Sequence, residues 1–295
     1  MAHDFSGIFP ALLTPFDSRD QINEAALRQL VRYDIQKGAA GFYVTGSTGE
    51  AFLMTTEERK KVMEVIRDEA DGKTLIAHVG SVREGEAMEL AKHAKALGFD
   101  AVSSVAPFYY KYSFPEIRDY YFRLADTAQL PLLVYHIPVF SGVAMGTGEL
   151  SQFLGDDRCL GIKYTSNDFF TMEQCKSRFP DKVLYNGYDE MFLAGLSMGA
   201  DGGIGSTYNF MADTFVQIKA LFDSGDIAAA QKIQQEANRI ITILCQVGVM
   251  QAEKEIMNQL GLDFGVCRRP FGQLTEAQKQ LLRTEVLPYI ECHGN

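Results

Sequence analysis

Cys159-Leu160-Gly161-Ile162-Lys163-Tyr164-Thr165-Ser166 is an apolar, strand-forming run with an ammonium group set in its middle. Burial disfavours the charged form of lysine, so a lysine held there tends toward a depressed pKa and a nucleophilic free amine. That is the profile of a Schiff-base lysine. A barrel strand can also turn such a side chain outward into a salt bridge, so the fold around Lys163 decides between the two.

Working outward, the run is one of eight strand candidates, at 8–14, 41–46, 75–80, 101–107, 131–138, 159–166, 182–188 and 201–206. Between them lie amphipathic stretches with recognisable ends. Leu27, Leu30, Val31 and Ile35 share a face before Gly38, Thr55 and Glu58 form a capping-box pattern, and Ala87, Leu90, Ala91 and Ala94 precede Gly98. Further helices are expected at about 115–128, 146–154, 169–179, 190–198 and 211–223. Eight strands each followed by a helix close most simply into a (β/α)8 TIM barrel. An open doubly wound sheet uses the same alternation, but no Gly-x-Gly-x-x-Gly fingerprint follows the first strand.

The alternation stops after Ser224-Gly225-Asp226. Ile227, Ala230, Ala237, Ile241 and Leu244 then trace a long helix with Asp226 as N-cap, followed by helices at about 250–260 and 276–291, the last opened by Thr275 and Gln278. The expected organisation is a barrel over 1–224 and a C-terminal three-helix extension over 225–295. No low-complexity linker separates them, so the extension is expected to pack on the barrel.

Composition narrows the function. The chain has 295 residues, 46% hydrophobic and 22% charged, and its net charge is 28 minus 38, or -10. With no basic cluster, nucleic acid and anionic membrane surfaces are poor partners. No run approaches a membrane span, and the start, Met1-Ala2-His3-Asp4-Phe5, lacks the pattern of a secretion signal. Cys159, Cys175, Cys245, Cys267 and Cys292 show no metal-ligand spacing and cannot all pair within the chain, which places the protein in the cytoplasm. The five histidines, His3, His78, His93, His136 and His293, are scattered, so no metal is expected.

Barrel enzymes carry their chemistry at the C-terminal ends of the strands. Here those ends hold Gly46-Ser47-Thr48-Gly49-Glu50, Pro107-Phe108-Tyr109-Tyr110, Tyr135-His136-Ile137-Pro138, Lys163, Gly187-Tyr188-Asp189-Glu190 and Gly205-Ser206-Thr207. The Gly/Ser/Thr segment suits a carboxylate or phosphate, and equally a tight strand-to-helix turn. Tyr135 is either a proton relay or a core aromatic whose hydroxyl is satisfied. Asp189 and Glu190 could bind sugar hydroxyls, act as an acid/base pair, or cap a helix. Arg268 and Arg269 read as a surface or subunit-contact pair.

Taken together, these segments resemble the pyruvate-dependent class I aldolases of the dihydrodipicolinate synthase and N-acetylneuraminate lyase superfamily, from Pro10-Ala11-Leu12-Leu13-Thr14-Pro15-Phe16 to Arg269-Pro270-Phe271-Gly272. The shared signals are Gly46-Ser47-Thr48-Gly49-Glu50 and Gly161-Ile162-Lys163-Tyr164-Thr165-Ser166. Tyr185-Asn186-Gly187-Tyr188-Asp189-Glu190 and Ala200-Asp201-Gly202-Gly203-Ile204-Gly205-Ser206-Thr207-Tyr208-Asn209 point to the N-acetylneuraminate lyase branch. The resemblance implies Lys163 as Schiff-base residue, Tyr135 as proton relay, and Ser47 and Thr48 as carboxylate cradle. It implies Tyr109 as the tyrosine that crosses a subunit interface, and Gly187, Asp189, Glu190 and Ser206 as the sugar side, with Thr165 and Gly205 nearby. The implied reaction is reversible cleavage of N-acetylneuraminate, a sialic acid, to pyruvate and N-acetylmannosamine, by a homotetramer without cofactors. A related aldolase for another 2-oxo sugar acid, and a non-catalytic ligand-binding barrel, are the alternatives.

Dihydrodipicolinate synthases place an arginine where this chain has Phe140, and a phenyl ring cannot pair with a second carboxylate. Two other segments depart from the pattern. His136 stands where asparagine is more common, and Val249-Met250-Gln251-Ala252-Glu253-Lys254 replaces an aromatic-containing segment near the pocket rim.

Overall fold

In the computed structural model, which describes residues 4–293, every strand but the glycine-rich last one, Gly202–Gly205, divides its side chains between two apolar cores. Phe9 and Ala11 point into the ring while Ile8 and Leu12 pack outward, and Leu133 and Tyr135 point in while Leu132 and Val134 point out. Successive Cβ atoms on a strand face opposite ways, so this two-residue period is the strand pleat itself. Apolar residues on both faces are what a parallel sheet covered by helices demands.

The chain runs β1 (Gly7–Pro10), α1 (Glu24–Gln36), β2 (Gly41–Val44), α2 (Thr56–Glu69), β3 (Thr74–His78), α3 (Glu84–Ala96), β4 (Ala101–Val105) and α4 (Phe114–Ala128). It continues through β5 (Leu132–His136), α5 (Pro138–Ser141), α6 (Thr147–Leu154), β6 (Cys159–Tyr164), α7 (Phe169–Arg178), β7 (Val183–Asn186), α8 (Phe192–Ser197), β8 (Gly202–Gly205) and α9 (Tyr208–Asp223). The strands are parallel and ordered β1-β8-β7-β6-β5-β4-β3-β2. Between β2 and β1 the ring is drawn shut by a parallel bridge, Ala11 to Tyr43, with Leu12 N–H donating to the Tyr43 carbonyl at 3.0 Å. The result is the expected TIM barrel. Asn209, wholly buried at the start of α9, reinforces the closure: it donates to the Ala11 carbonyl at 2.8 Å and accepts from Leu13 N–H at 2.9 Å.

Glycine is required where two strands approach closely. A Cβ on Gly161 would lie 1.8 Å from the Val183 carbonyl oxygen of β7, so β6 can sit beside β7 only with glycine there.

Most strands end sooner than the apolar runs suggested, because their last residues leave the ladder to build the site loops. The capping boxes at Thr55/Glu58 and Thr275/Gln278 form, and Asp226 caps the long helix α10 (Ile227–Val247). Beyond it come α11 (Val249–Gln259), α12 (Glu276–Glu285) and α13 (Leu287–His293), which with α10 make four helices among the described residues rather than three. The single helix expected over 276–291 is divided near Val286, because Pro288 lacks the N–H that a continuous helix would use and its ring crowds the turn before it. Arg268 is a second correction. Instead of lying at the surface, its guanidinium bonds Glu58, Asp20 and the Leu53 carbonyl. Among the described residues no helix is long and apolar enough to cross a membrane. Residues 1–3, which include His3 and part of the N-terminal stretch expected to lack a secretion signal, and residues 294–295 lie outside those described.

Candidate active site

Tyr135, Lys163 and Tyr185 stand abreast, in register on β5, β6 and β7. Ile162 and Tyr164 belong to the outer core, so the pleat sends Lys163 into the ring, and the outward salt bridge is ruled out. The side chain is buried, with Nζ 4.1 Å from the Tyr135 ring centroid and 4.3 Å from that of Tyr43. Burial lowers its pKa to about 7, against a weaker opposing pull from Asp189. An ordinary lysine is almost wholly protonated at neutral pH; burial moves Lys163 toward the free amine.

Burial pushes the Tyr135 phenol well above its usual range, so it is protonated at rest, while the Thr165 and Ser47 hydroxyls beside it pull the other way. Thr165 Oγ1 nonetheless makes no well-formed hydrogen bond, which leaves a buried hydroxyl uncommitted next to Lys163 and Tyr135. Gly187 is what admits it: a Cβ there would lie 1.9 Å from Thr165 Oγ1.

His78 and Tyr43 complete the wall and were not singled out from sequence. His78 Nδ1–H donates to the Thr45 carbonyl at 2.9 Å and Nε2 accepts from Val105 N–H at 3.3 Å, so the ring is neutral, and burial holds its pKa far below the usual value. Thr45 is thereby held at φ 55°, an uncommon left-handed setting for a β-branched residue, and launches the Gly46–Glu50 turn from β2. Within that turn Gly49 and Glu50 N–H bond back to the Gly46 and Ser47 carbonyls. No acceptor among the described residues takes the amide protons of Ser47 or Thr48, so the turn has both donors and hydroxyls left for an anion. Glu50 faces the other way. Its carboxylate accepts from Arg268 N–H at 2.7 Å and pairs with Lys254, both side chains being wholly buried.

Asp189 opens a single 3-10 turn, Asp189–Met191, after β7. Its Oδ2 accepts from the Thr207 N–H at 2.9 Å and hydroxyl at 2.7 Å, whereas Oδ1 is buried without a partner. Burial, partly countered by Thr207, raises its pKa to about 6. Gly205 makes room for it, since a Cβ there would lie 1.9 Å from Oδ1. From α10, Gln234 donates to the Asp189 carbonyl at 3.1 Å and Asn238 to that of Glu190 at 3.0 Å. The available signal for Gln234 was an amide on the apolar stripe with Ala230, Ala237 and Ile241.

Tyr109 is not brought to Tyr135 within the chain. It is 84% exposed at φ 78°, a strained setting for an aromatic residue. His136 stacks on Tyr164 outside the ring, at 5.0 Å between ring centroids, so this departure is a packing feature of the outer core. The 249–254 departure matters more: Lys254 pairs with Glu50, and Glu253 is wholly buried beside Ser206 and within the field of Asp189. Among the described residues no group of three His, Cys, Asp or Glu could hold a metal ion.

The family model described as "Dihydrodipicolinate synthetase family" matches residues 4–287. An N-acetylneuraminate lyase of Escherichia coli is 46% identical over 279 residues, 94% of each chain. The crystal structure of CdNal from Clostridium difficile in complex with mannosamine superposes with a TM-score of 0.94 at 38% identity, covering 97% of this chain and 99% of that one. A catalytic lysine mutant of the Ruminococcus gnavus sialic acid aldolase reaches 0.94 at 28% identity, covering 98% and 96%.

Proposed function

The chain belongs to the dihydrodipicolinate synthetase family, and from that membership and the desolvated Lys163 inside the barrel we infer a class I aldolase of the N-acetylneuraminate lyase type. It cleaves N-acetylneuraminate reversibly to pyruvate and N-acetylmannosamine. The single observation that carries the reading is the buried Lys163 amine, 4.1 Å from the Tyr135 ring centroid inside a ring of parallel strands, where burial lowers its pKa.

The neutral Lys163 amine attacks C2 of the open-chain 2-oxo acid, and loss of water gives an iminium that draws electrons from the C3–C4 bond. As that bond breaks, the proton of the C4 hydroxyl leaves through the substrate carboxylate and the Tyr135 hydroxyl, which donates one proton as it accepts another. N-acetylmannosamine departs as the aldehyde. The enamine left on Lys163 is protonated at C3 and hydrolysed, which returns pyruvate and the free amine. Ser47 and Thr48 hold the carboxylate, with Thr165 beside the relay. Gly187, Asp189, Glu190, Gly205 and Ser206 form the sugar side, where carboxylates and hydroxyls suit a polyol.

The barrel, 1–224, is assigned the chemistry and 225–295 the support of its rim, through Gln234, Asn238 and Lys254. Exposed Tyr109, Tyr110, Val139 and Phe140 form an apolar rim after β4 and β5 that suits a second copy of the chain. A homotetramer that places Tyr109 against a neighbour's Tyr135 is the assembly assigned here. Unpaired Cys159, Cys175, Cys245 and Cys267 suit the reducing cytoplasm.

Incubating the purified protein with N-acetylneuraminate and following pyruvate tests the reading directly. Pyruvate should form, and borohydride with pyruvate should add one covalent adduct that Lys163→Ala abolishes. A binding protein with no catalysis would give neither.

A further inference from the structure

Glu253 on α11 is wholly buried, and neither carboxyl oxygen has a well-formed hydrogen bond among the described residues. Its polar neighbours belong to the sugar side: the Ser206 hydroxyl lies beside it and the Asp189 carboxylate acts on it through space. Asp189 brings a buried, unpartnered oxygen of its own, Oδ1. The adjacent lysine, Lys254, is committed to Glu50 and the Val266 carbonyl. A carboxylate with no cation and a single hydroxyl beside it, in the field of a second carboxylate, is not a stable occupant of an apolar interior.

We propose that Glu253 is an un-ionised carboxylic acid that positions Ser206 and Asp189 for the polyol part of the substrate, and that sugar binding weakens when Glu253 ionises. The proposal rests on the aldolase reading above. A neutral acid has one O–H to give. Directed at Ser206 Oγ, it leaves the serine's own proton free for a substrate hydroxyl. An ionised Glu253 can only accept, so it takes that proton for itself and places a second negative charge beside Asp189.

The surroundings supply no rescue. Burial, reinforced by Asp189 and opposed by Ser206, pushes the Glu253 carboxyl up to about 8. Facing the same region are the thiols of Cys245 on α10 and Cys267 after α11, and the phenol of Tyr208 on α9, all raised by burial. Glu190 adds negative charge near Asp189, and the pull of Lys163 falls on Asp189.

The test is the pH dependence of KM and kcat for N-acetylneuraminate cleavage by the full chain, compared with Glu253→Gln and Glu253→Leu. In the unsubstituted protein KM should rise several-fold as pH passes about 8, while kcat and borohydride trapping of pyruvate move little. Glu253→Gln, which cannot ionise yet keeps donor and acceptor, should hold KM within about twofold of the neutral-pH value and lose the alkaline rise. Glu253→Leu should raise KM roughly three- to tenfold at pH 7, the worth of one lost hydrogen bond. An alkaline rise that persists in Glu253→Gln, one absent from the unsubstituted protein, or an unaltered KM in Glu253→Leu would overturn the proposal. Adduct formation with pyruvate intact in all three proteins separates that failure from failure of the aldolase reading, which would remove both adduct and pyruvate release.

Discussion

Glu50 and Lys254 form a wholly buried ion pair that joins the turn after β2 to α11 of the C-terminal extension. Phe16 packs beneath the ammonium, 4.2 Å from Nζ to ring centroid, so the pair is sealed from solvent. Glu50 therefore anchors the Gly46–Glu50 turn, whose Ser47 hydroxyl lies beside Tyr135.

Removing one partner should cost far more than removing both. Lys254→Met strands a buried carboxylate and should destabilise the fold by about 3–5 kcal/mol in urea titration. Adding Glu50→Gln, which still accepts from Arg268 N–H, should recover most of that loss. If the single and double variants melt alike, the pair is not what ties the extension to the barrel.

Lys163 should burden the fold in a pH-dependent way. Its pKa is about 7 in the folded chain, against an ordinary lysine value near 10.4 when unfolded. Between those values the unfolded chain binds the extra proton, so stability rises with pH across that window. Below about pH 7 both states are protonated and the burden is complete. Lys163→Met should therefore gain on the unsubstituted protein by on the order of a few kcal/mol at pH 7 and below, with the gain shrinking toward pH 10. A gain that grew with pH would contradict a desolvated amine.

Tyr135→Phe should keep the Schiff base and lose the relay. The substitution preserves the ring that lies 4.1 Å from Lys163 Nζ and deletes only the hydroxyl. Turnover should fall about 10²-fold or more, while borohydride still traps pyruvate on Lys163. Unaltered turnover would remove Tyr135 from the proton path.

Much of this site was legible before any coordinates because strand-end residues in a barrel converge on one face, so Lys163, Tyr135, Ser47 and Asp189 could be grouped from strand assignments alone. What escaped came from elements distant in sequence. Gln234 and Asn238 reach the Asp189 turn from α10, and Glu253 reaches Ser206 from α11; no local pattern states which strand end a later helix will cover. His78 escaped for a different reason. Scattered histidines give no metal-ligand pattern, and the role of this one is non-local: its two ring nitrogens are spent holding the backbone of Thr45 and Val105. The division of the last helix at Val286 follows from Pro288, whereas the apolar periodicity on either side reads as one continuous helix.

Asp189 should act on the sugar and leave the pyruvate chemistry alone, and glycine at 205 offers an independent way to move it. Asp189→Ala deletes the carboxylate held by the Thr207 N–H and hydroxyl, and should raise KM for N-acetylneuraminate roughly tenfold or more, as loss of charged hydrogen bonds does. Gly205→Ala adds a methyl whose ideal position is 1.9 Å from Asp189 Oδ1, so the carboxylate must shift and KM should rise in the same direction. Both variants should still form the borohydride-trapped pyruvate adduct at close to the original rate, because Lys163 and the Ser47-Thr48 turn are untouched. Equal loss of adduct and sugar cleavage in either variant would mean that Asp189 serves Lys163 instead, through its pull on the Lys163 pKa.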